Sequence, residues 1–162
     1  MNKNVKIKEK IGRPQGKFRF LKYKEGTNEI ISVSDWSKNL VLNSTTTGIG
    51  LIAKQLIGVT TYPLEITSAE IGTGSNAPTD SDTNLQTPVV TGILRSNQEA
   101  LSDIVTLRFF IAAGVLPDGT YKEFLLRCGT QAFARALINP TTWYTKATGE
   151  DTIVEYVINL TN

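Results

Sequence analysis

Asp80 and Asp82, two residues apart in a polar stretch, come nearest in this sequence to a hard-cation site, and Cys128 is its single thiol. Neither pattern carries chemistry. The aspartates lack the spacing and the closing Glu of a calcium loop, so they read as ordinary loop residues. Cys128 shares an apolar strand face with Phe124 and Leu126, which suits a buried, inert thiol. One Cys also excludes an intrachain disulfide and a Cys-based zinc centre. The chain has no His, which removes the commonest general base together with Ser-His and Cys-His pairs. Gly72-x-Gly74 ends a strand but lacks the third Gly and the following helix of a dinucleotide fingerprint, and no phosphate-binding GxxxxGK[ST] run exists. Nothing in the sequence sets two carboxylates at glycosidase spacing. No catalytic, metal-binding or cofactor-binding residue is assigned, no cofactor is expected, and the chain does not read as an enzyme.

What remains are residues suited to gripping another molecule. Residues 1–24 hold nine basic residues against Glu9 alone, a net +8, and the other 138 residues carry −6, which together give the overall +2. A cationic arm therefore precedes a mildly acidic body. Such an arm is either a solvated tail or a grip on something anionic, nucleic acid or an acidic neighbouring subunit. Its interface candidates are Lys3, Lys6, Lys8, Lys10 and Arg13. Arg135 interrupts the small and apolar run Phe133-Ala134-Arg135-Ala136-Leu137. It either faces solvent or pairs with a carboxylate at a subunit interface, where Arg is enriched. Trp36, Trp143 and Tyr144 could stack on a ligand, yet one or two Trp residues in a chain of this size more often anchor a core or an interface.

The elements that must position these residues read mostly as β. With 162 residues the chain forms one domain by default and can bury roughly 70% of its unfolded surface. No run approaches 18 apolar residues, and the basic N-terminus lacks the apolar stretch of a secretory signal. Residues 17–24 and 28–34 pattern as a hairpin around the turn Glu25-Gly26-Thr27-Asn28. The one convincing helix, near 46–57, carries Ile49, Ile52, Ala53, Leu56 and Ile57 as a single apolar stripe, with Thr45 to Thr47 as cap hydroxyls and Gly58 at the left-handed position after its end. That stripe is expected to be buried. Strands follow at 64–71, 89–96, 103–112, 122–128, 132–138 and 152–160, and a long polar loop lies at 75–87. Two alternating rows, Val105, Leu107, Phe109, Ile111 and Val154, Tyr156, Ile158, Leu160, fix which faces point inward. Turn signals stand at Pro117-Asp118-Gly119 and Gly129-Thr130-Gln131. The resulting expectation is an all-β chain, a jelly-roll-like β-sandwich with one short helix. Residues 1–24 form the arm and first strand, and 25–162 form the sandwich domain.

The order of these motifs is familiar. The run Trp36-x-x-Asn39-Leu40-Val41-Leu42-Asn43, then Leu51-Ile52-Ala53-Lys54-Gln55-Leu56-Ile57-Gly58, resembles the opening of a family of tailed-bacteriophage virion proteins. So do Ile71-Gly72-Thr73-Gly74, Pro78, Asp82-Thr83 and Leu85, and later Phe133-Ala134-Arg135-Ala136, Pro140, Lys146, Gly149 and Thr152-Ile153-Val154-Glu155-Tyr156-Val157-Ile158. The resemblance spans residues 36–160. The chain departs from the pattern at 122–127, where a Gly is expected before the Leu-Phe pair, and in its long basic arm. What the resemblance implies is a structural subunit repeated symmetrically in the virion, in the tail, collar or head-tail region, made in the cytoplasm of a bacterial host. Its partners would be copies of itself and other virion proteins. The arm, residues 1–16, is expected on a neighbouring subunit, not folded back on its own body.

Two rival readings stand beside it. A capsid decoration or host-surface binding module would present Trp143, Tyr144 and the 75–87 loop to a glycan or protein receptor. A nucleic-acid binder would stack bases on Phe18, Phe20 and Tyr23, interleaved with Lys17, Arg19, Lys22 and Lys24. The acidic body argues against nucleic acid, and nothing points to a membrane partner.

Overall fold

The computed structural model describes residues 13–160; Lys3, Lys6, Lys8 and Lys10 lie outside them. Twelve strands and one helix follow in the order β1 (Gln15–Lys24), β2 (Ile30–Val33), β3 (Ser37–Val41), β4 (Asn43–Ser44), α1 (Gly48–Leu56), β5 (Ile66–Gly72), β6 (Pro88–Leu101), β7 (Ile104–Ile111), β8 (Gly119–Tyr121), β9 (Glu123–Cys128), β10 (Gln131–Leu137), β11 (Tyr144–Lys146) and β12 (Glu150–Asn159). The fold is all-β with one short helix. Strands such as β1 and β7 alternate in burial because one set of their side chains points inward, whereas β5, β9 and β10 are buried almost throughout. In β1, Phe18 and Phe20 are buried while Lys17 is exposed. In β12, Val154, Tyr156 and Ile158 form the matching inner row, and Leu160 falls beyond the strand end into solvent.

The sheet closes on itself. Its order runs β12-β7-β6-β5-β9-β10-β3-β1, and β1 pairs back onto β12 along its whole length, from Gln15 opposite Asn159 to Lys24 opposite Glu150. Eight strands thus form a barrel, with every neighbouring pair antiparallel, and the expected two-sheet sandwich is corrected. Two strands make the difference by serving both sides. β6 has 14 residues; its first part pairs with β5 and its last part with β7, with Gly92 at φ 67° and a register shift between Arg95 and Asn97 at the bend. β3 pairs with β1 through Ser37 to Asn39 and with β10 through Leu40 and Val41. Bulges and bends of this kind let strands turn the corner between two faces, and closure removes the edges that a sandwich leaves open.

An eight-stranded barrel is just wide enough for side chains to fill it. Aromatic rings do so here. Phe18 stacks on Phe124 at 5.1 Å, Phe20 on Tyr144 at 4.1 Å, and Phe109 meets Phe124 edge-on. Tyr156 is fully buried with Asn39 donating to its hydroxyl, and burial pushes its phenol upward. Cys128 lies in the same core, and desolvation pushes its thiol up to about 12.

The helix differs from its expected packing. Leu51 is its buried apolar residue and Ile49 and Ile52 are partly buried, while Leu56 and Ile57 are 82% and 77% exposed. The nine-residue helix touches the body through β4 and β10, so its last turn runs off the surface. Gly48 needs its φ of 38°, and a Cβ there would collide with the carbonyls of Leu42 and Phe133. Gly58, at φ 77°, closes the helix as expected.

β2 stands outside the ring. It pairs with β1 through Leu21 to Tyr23 and has no partner on its other side among the described residues. At the far end of the barrel, the second half of β6 turns at Ser102, which has a φ of 57°, into β7; β7 is paired to β12 from Ile104 onward, so the open side of this hairpin belongs to β6. Pro117-Asp118-Gly119 is not a hairpin, since β8 pairs with β11, whereas Gly129-Thr130 does join β9 to β10.

Candidate functional site

Scattered motif residues meet at one place. Glu123, the first residue of β9, is fully buried, and its carboxylate accepts four hydrogen bonds: from the backbone N–H of Gly74 (2.9 Å), Gln86 (2.9 Å) and Thr87 (2.7 Å), and from Arg135 Nη2 (2.8 Å). Arg135, on the neighbouring β10 and equally buried, also donates from Nη1 to Asp82 Oδ2 at 2.6 Å and from Nη2 to the Asn76 carbonyl at 3.2 Å. Asp82 in turn accepts from the Thr79 N–H and hydroxyl. The long loop 75–87 is therefore clasped to the barrel at both ends and in the middle. Leu85 packs into a small core with Leu42, Leu125 and Ala132 and fastens it further.

The electrostatics follow from this geometry. Burial alone would push the Glu123 carboxyl up, but the Arg135 guanidinium and three N–H donors outweigh it and hold the group below its ordinary range. Asp82 is held low in the same way by Thr79 and Arg135. Arg135, whose charge burial disfavours, is raised by its two carboxylate partners. Arg135 thus faces neither solvent nor a neighbouring subunit. It spends its fork inside its own chain. The two glycines of Gly72-x-Gly74 have the same cause, because a Cβ on either would press on the Glu123 carboxylate and on the returning chain at Gln86 and Thr87. Glu123 escaped the sequence reading; its only signal is a Glu opening the apolar run Phe124-Leu125-Leu126.

The other candidates are placed as follows. Arg13 bonds the Val41 carbonyl and the Asp80 carboxylate, so residues 13–16 lie against their own barrel and not on a neighbouring subunit as expected; the rest of the expected arm, residues 1–12, lies outside the described residues. Asp80 and Asp82 each serve an arginine, and among the described residues no acidic, Cys or His group has the makings of a metal site. Tyr144 is 3% exposed, stacks on Phe20 and bonds Thr152 through its hydroxyl, so it offers nothing to a ligand. Trp143 is partly buried beneath Lys122, whose Nζ lies 5.6 Å from the ring. Phe18 and Phe20 point into the barrel, which dismantles the base-stacking platform. The outward side chains of β1 instead build a charged row: Arg19 and Arg108 flank Glu155, while Arg19 and Lys17 cover Trp36 at 4.5 and 4.6 Å.

Besides single exposed residues such as Leu94, Phe110 and Val115, three apolar groups among the described residues reach solvent. They are the free edge strand β2, with Ile30, Ile31 and Val33 about half exposed; the end of α1, with Leu56 and Ile57; and the β6–β7 hairpin, with Leu101 and Ile104. No helix among the described residues is long and apolar enough to cross a membrane. No protein-family pattern matches the chain, and neither a curated protein nor a solved structure shows significant similarity to it.

Proposed function

We propose that this protein is a structural subunit that assembles symmetrically with copies of itself, in the virion of a tailed bacteriophage. The observation that carries the reading is the contrast between inside and outside. The buried Glu123 and Arg135 are consumed in holding a long loop, while large apolar side chains are left on an open strand edge, a helix end and a hairpin. Exposed apolar surface arranged on such edges suits contact with protein. The motif order supplies the placement in a phage particle. Five of the residues that carry it, Gly72, Gly74, Asp82, Leu85 and Arg135, converge on one clasp, so these act together in presenting one loop. Tail, collar and head-tail positions all fit this reading.

The experiment is imaging. Purified full-length chain, examined by negative-stain electron microscopy, should give closed particles of one rotational symmetry, and an antibody against it should label intact virions at one site. Failure to label any virion would overturn the phage placement, and featureless monomers would overturn the assembly reading itself.

A further inference from the structure

The open edge of β2 and the segment before Arg13 match one another. Residues 5–11 read Val-Lys-Ile-Lys-Glu-Lys-Ile, with Val5, Ile7 and Ile11 at alternate positions and three lysines between them. Glu9 falls on the same side as Val5, Ile7 and Ile11, so the pattern is that of a strand with one basic face and one apolar face interrupted once. The receiving edge carries Ile30, Ile31 and Val33, each about half exposed. Around it, residues 25–35 contain Glu25, Glu29 and Asp35 and no basic residue. All three acids are exposed, and Glu29 approaches Lys24 only at 4.0 Å. The donor segment, with three Lys and one Glu, is oppositely charged.

We infer that residues 5–11 add as a strand to the free edge of β2 in a second copy of this chain. The inference rests on the assembly reading above and names its joint. Reach decides between own and neighbouring chain. Arg13 is tied to Val41 at the end of the barrel where β1 begins, whereas β2 pairs with Leu21 to Tyr23 near its other end. Eight residues of strand separate these points, about 26 Å. An extended chain from Arg13 takes Ile11 at most about 7 Å and only Val5 about 28 Å. Ile7 to Ile11 therefore cannot lie along β2 of their own chain. The open edge on the β6 half of the hairpin has exposed Leu94 and Leu101 beside Asn97, Gln98 and Glu99, but Arg95 and Arg108 stand along it, so it lacks the acidic surroundings that attract the lysines. Strand addition would give main-chain bonds for affinity, side-chain pairs for register and lysine–carboxylate attraction for orientation. Because the donor segment leaves the barrel at Arg13 and the acceptor lies near its other end, the contact joins unlike surfaces: exchanged in both directions it closes a two-fold dimer, and passed on in one direction it generates a ring or a filament.

The test uses full-length chains with single added thiols, the native Cys128 being fully buried. Chains bearing Val5→Cys, Ile7→Cys or Ile11→Cys are mixed one at a time with chains bearing Ile31→Cys and oxidised with glutathione disulfide. A mixed disulfide between the two chains is expected, and high salt should suppress it. Ile7→Asp should weaken self-association about tenfold without changing the melting temperature. Three results would overturn the assignment while leaving assembly standing: oligomers without linkage, preferential linkage to Gln98→Cys, or crosslinked monomers when both thiols share one chain. If the chain sediments as a monomer under every condition, the assembly reading fails and the joint fails with it.

Discussion

Arg135 and Glu123 form a buried ion pair, and removing one partner from such a pair leaves the other charge uncompensated. Arg135→Ala should cost about 3–5 kcal/mol in urea unfolding, because Glu123 and Asp82 lose their shared donor. A loss under about 1 kcal/mol would mean that backbone N–H groups alone hold the carboxylate. The pH dependence has a definite sign. Glu123 and Asp82 are held below their ordinary range in the folded state, so the stability they confer is present above the unfolded carboxylate value and lost as pH falls through the lower, folded one. The amides of Gly74, Gln86 and Thr87 should therefore stay protected from hydrogen exchange down to about pH 4 and lose protection below it. In Arg135→Ala the carboxyls lose the group that holds them low, and protection should fail at higher pH. Little of this was legible in the sequence. Arg135 stood out as a charge among apolar neighbours, yet its partners lie 53 and 12 positions away along the chain, and no local pattern specifies such pairing. Gly72 and Gly74 likewise looked like turn residues when the need was room for a carboxylate on another strand.

At the scale of elements, local periodicity carried further. Alternation in β7 and β12 placed their inner rows, whereas the aromatic–basic alternation of β1 was equally open to a base-stacking platform, and only packing puts Phe18 and Phe20 inside. What alternation cannot reveal is which strand lies beside which. A sandwich and a barrel share the same inward rows, and the difference lies in β3 and β6, each of which serves two neighbours. β3 was missed because Ser37-Lys38-Asn39 carries no strand-like composition, and its pairing comes entirely from β1 and β10. The helix shows the opposite error. Its apolar spacing was real, but only the first half meets the body, so spacing alone misjudged Leu56. Leu51→Ala should cost about 2–5 kcal/mol, whereas Leu56→Ala should leave the melting temperature unchanged. Equal effects of the two substitutions in thermal unfolding would contradict the observed seating of the helix.

For the whole molecule, closure of the barrel leaves free edges at β2, at the hairpin and on the small β8–β11 sheet, and the charge split sets a cationic N-terminal segment apart from a body of opposite sign. A domain without self-contacts would gain little from either feature, because exposed ion pairs are individually worth about 0–1 kcal/mol. Repeated around a symmetric assembly, the same small terms combine with strand pairing and apolar burial. Deleting residues 1–12 should leave the melting temperature of the barrel unchanged, since Arg13 and β1 remain in place. The most direct measurement is sedimentation velocity of the intact chain and of this truncated chain, each at low and at high salt. The intact chain should sediment as one discrete oligomer at low salt and dissociate at high salt, and the truncated chain should remain a monomer in both. A monomeric intact chain at low salt, or a truncated chain that assembles equally well, would contradict an assembly subunit held together through its N-terminal segment.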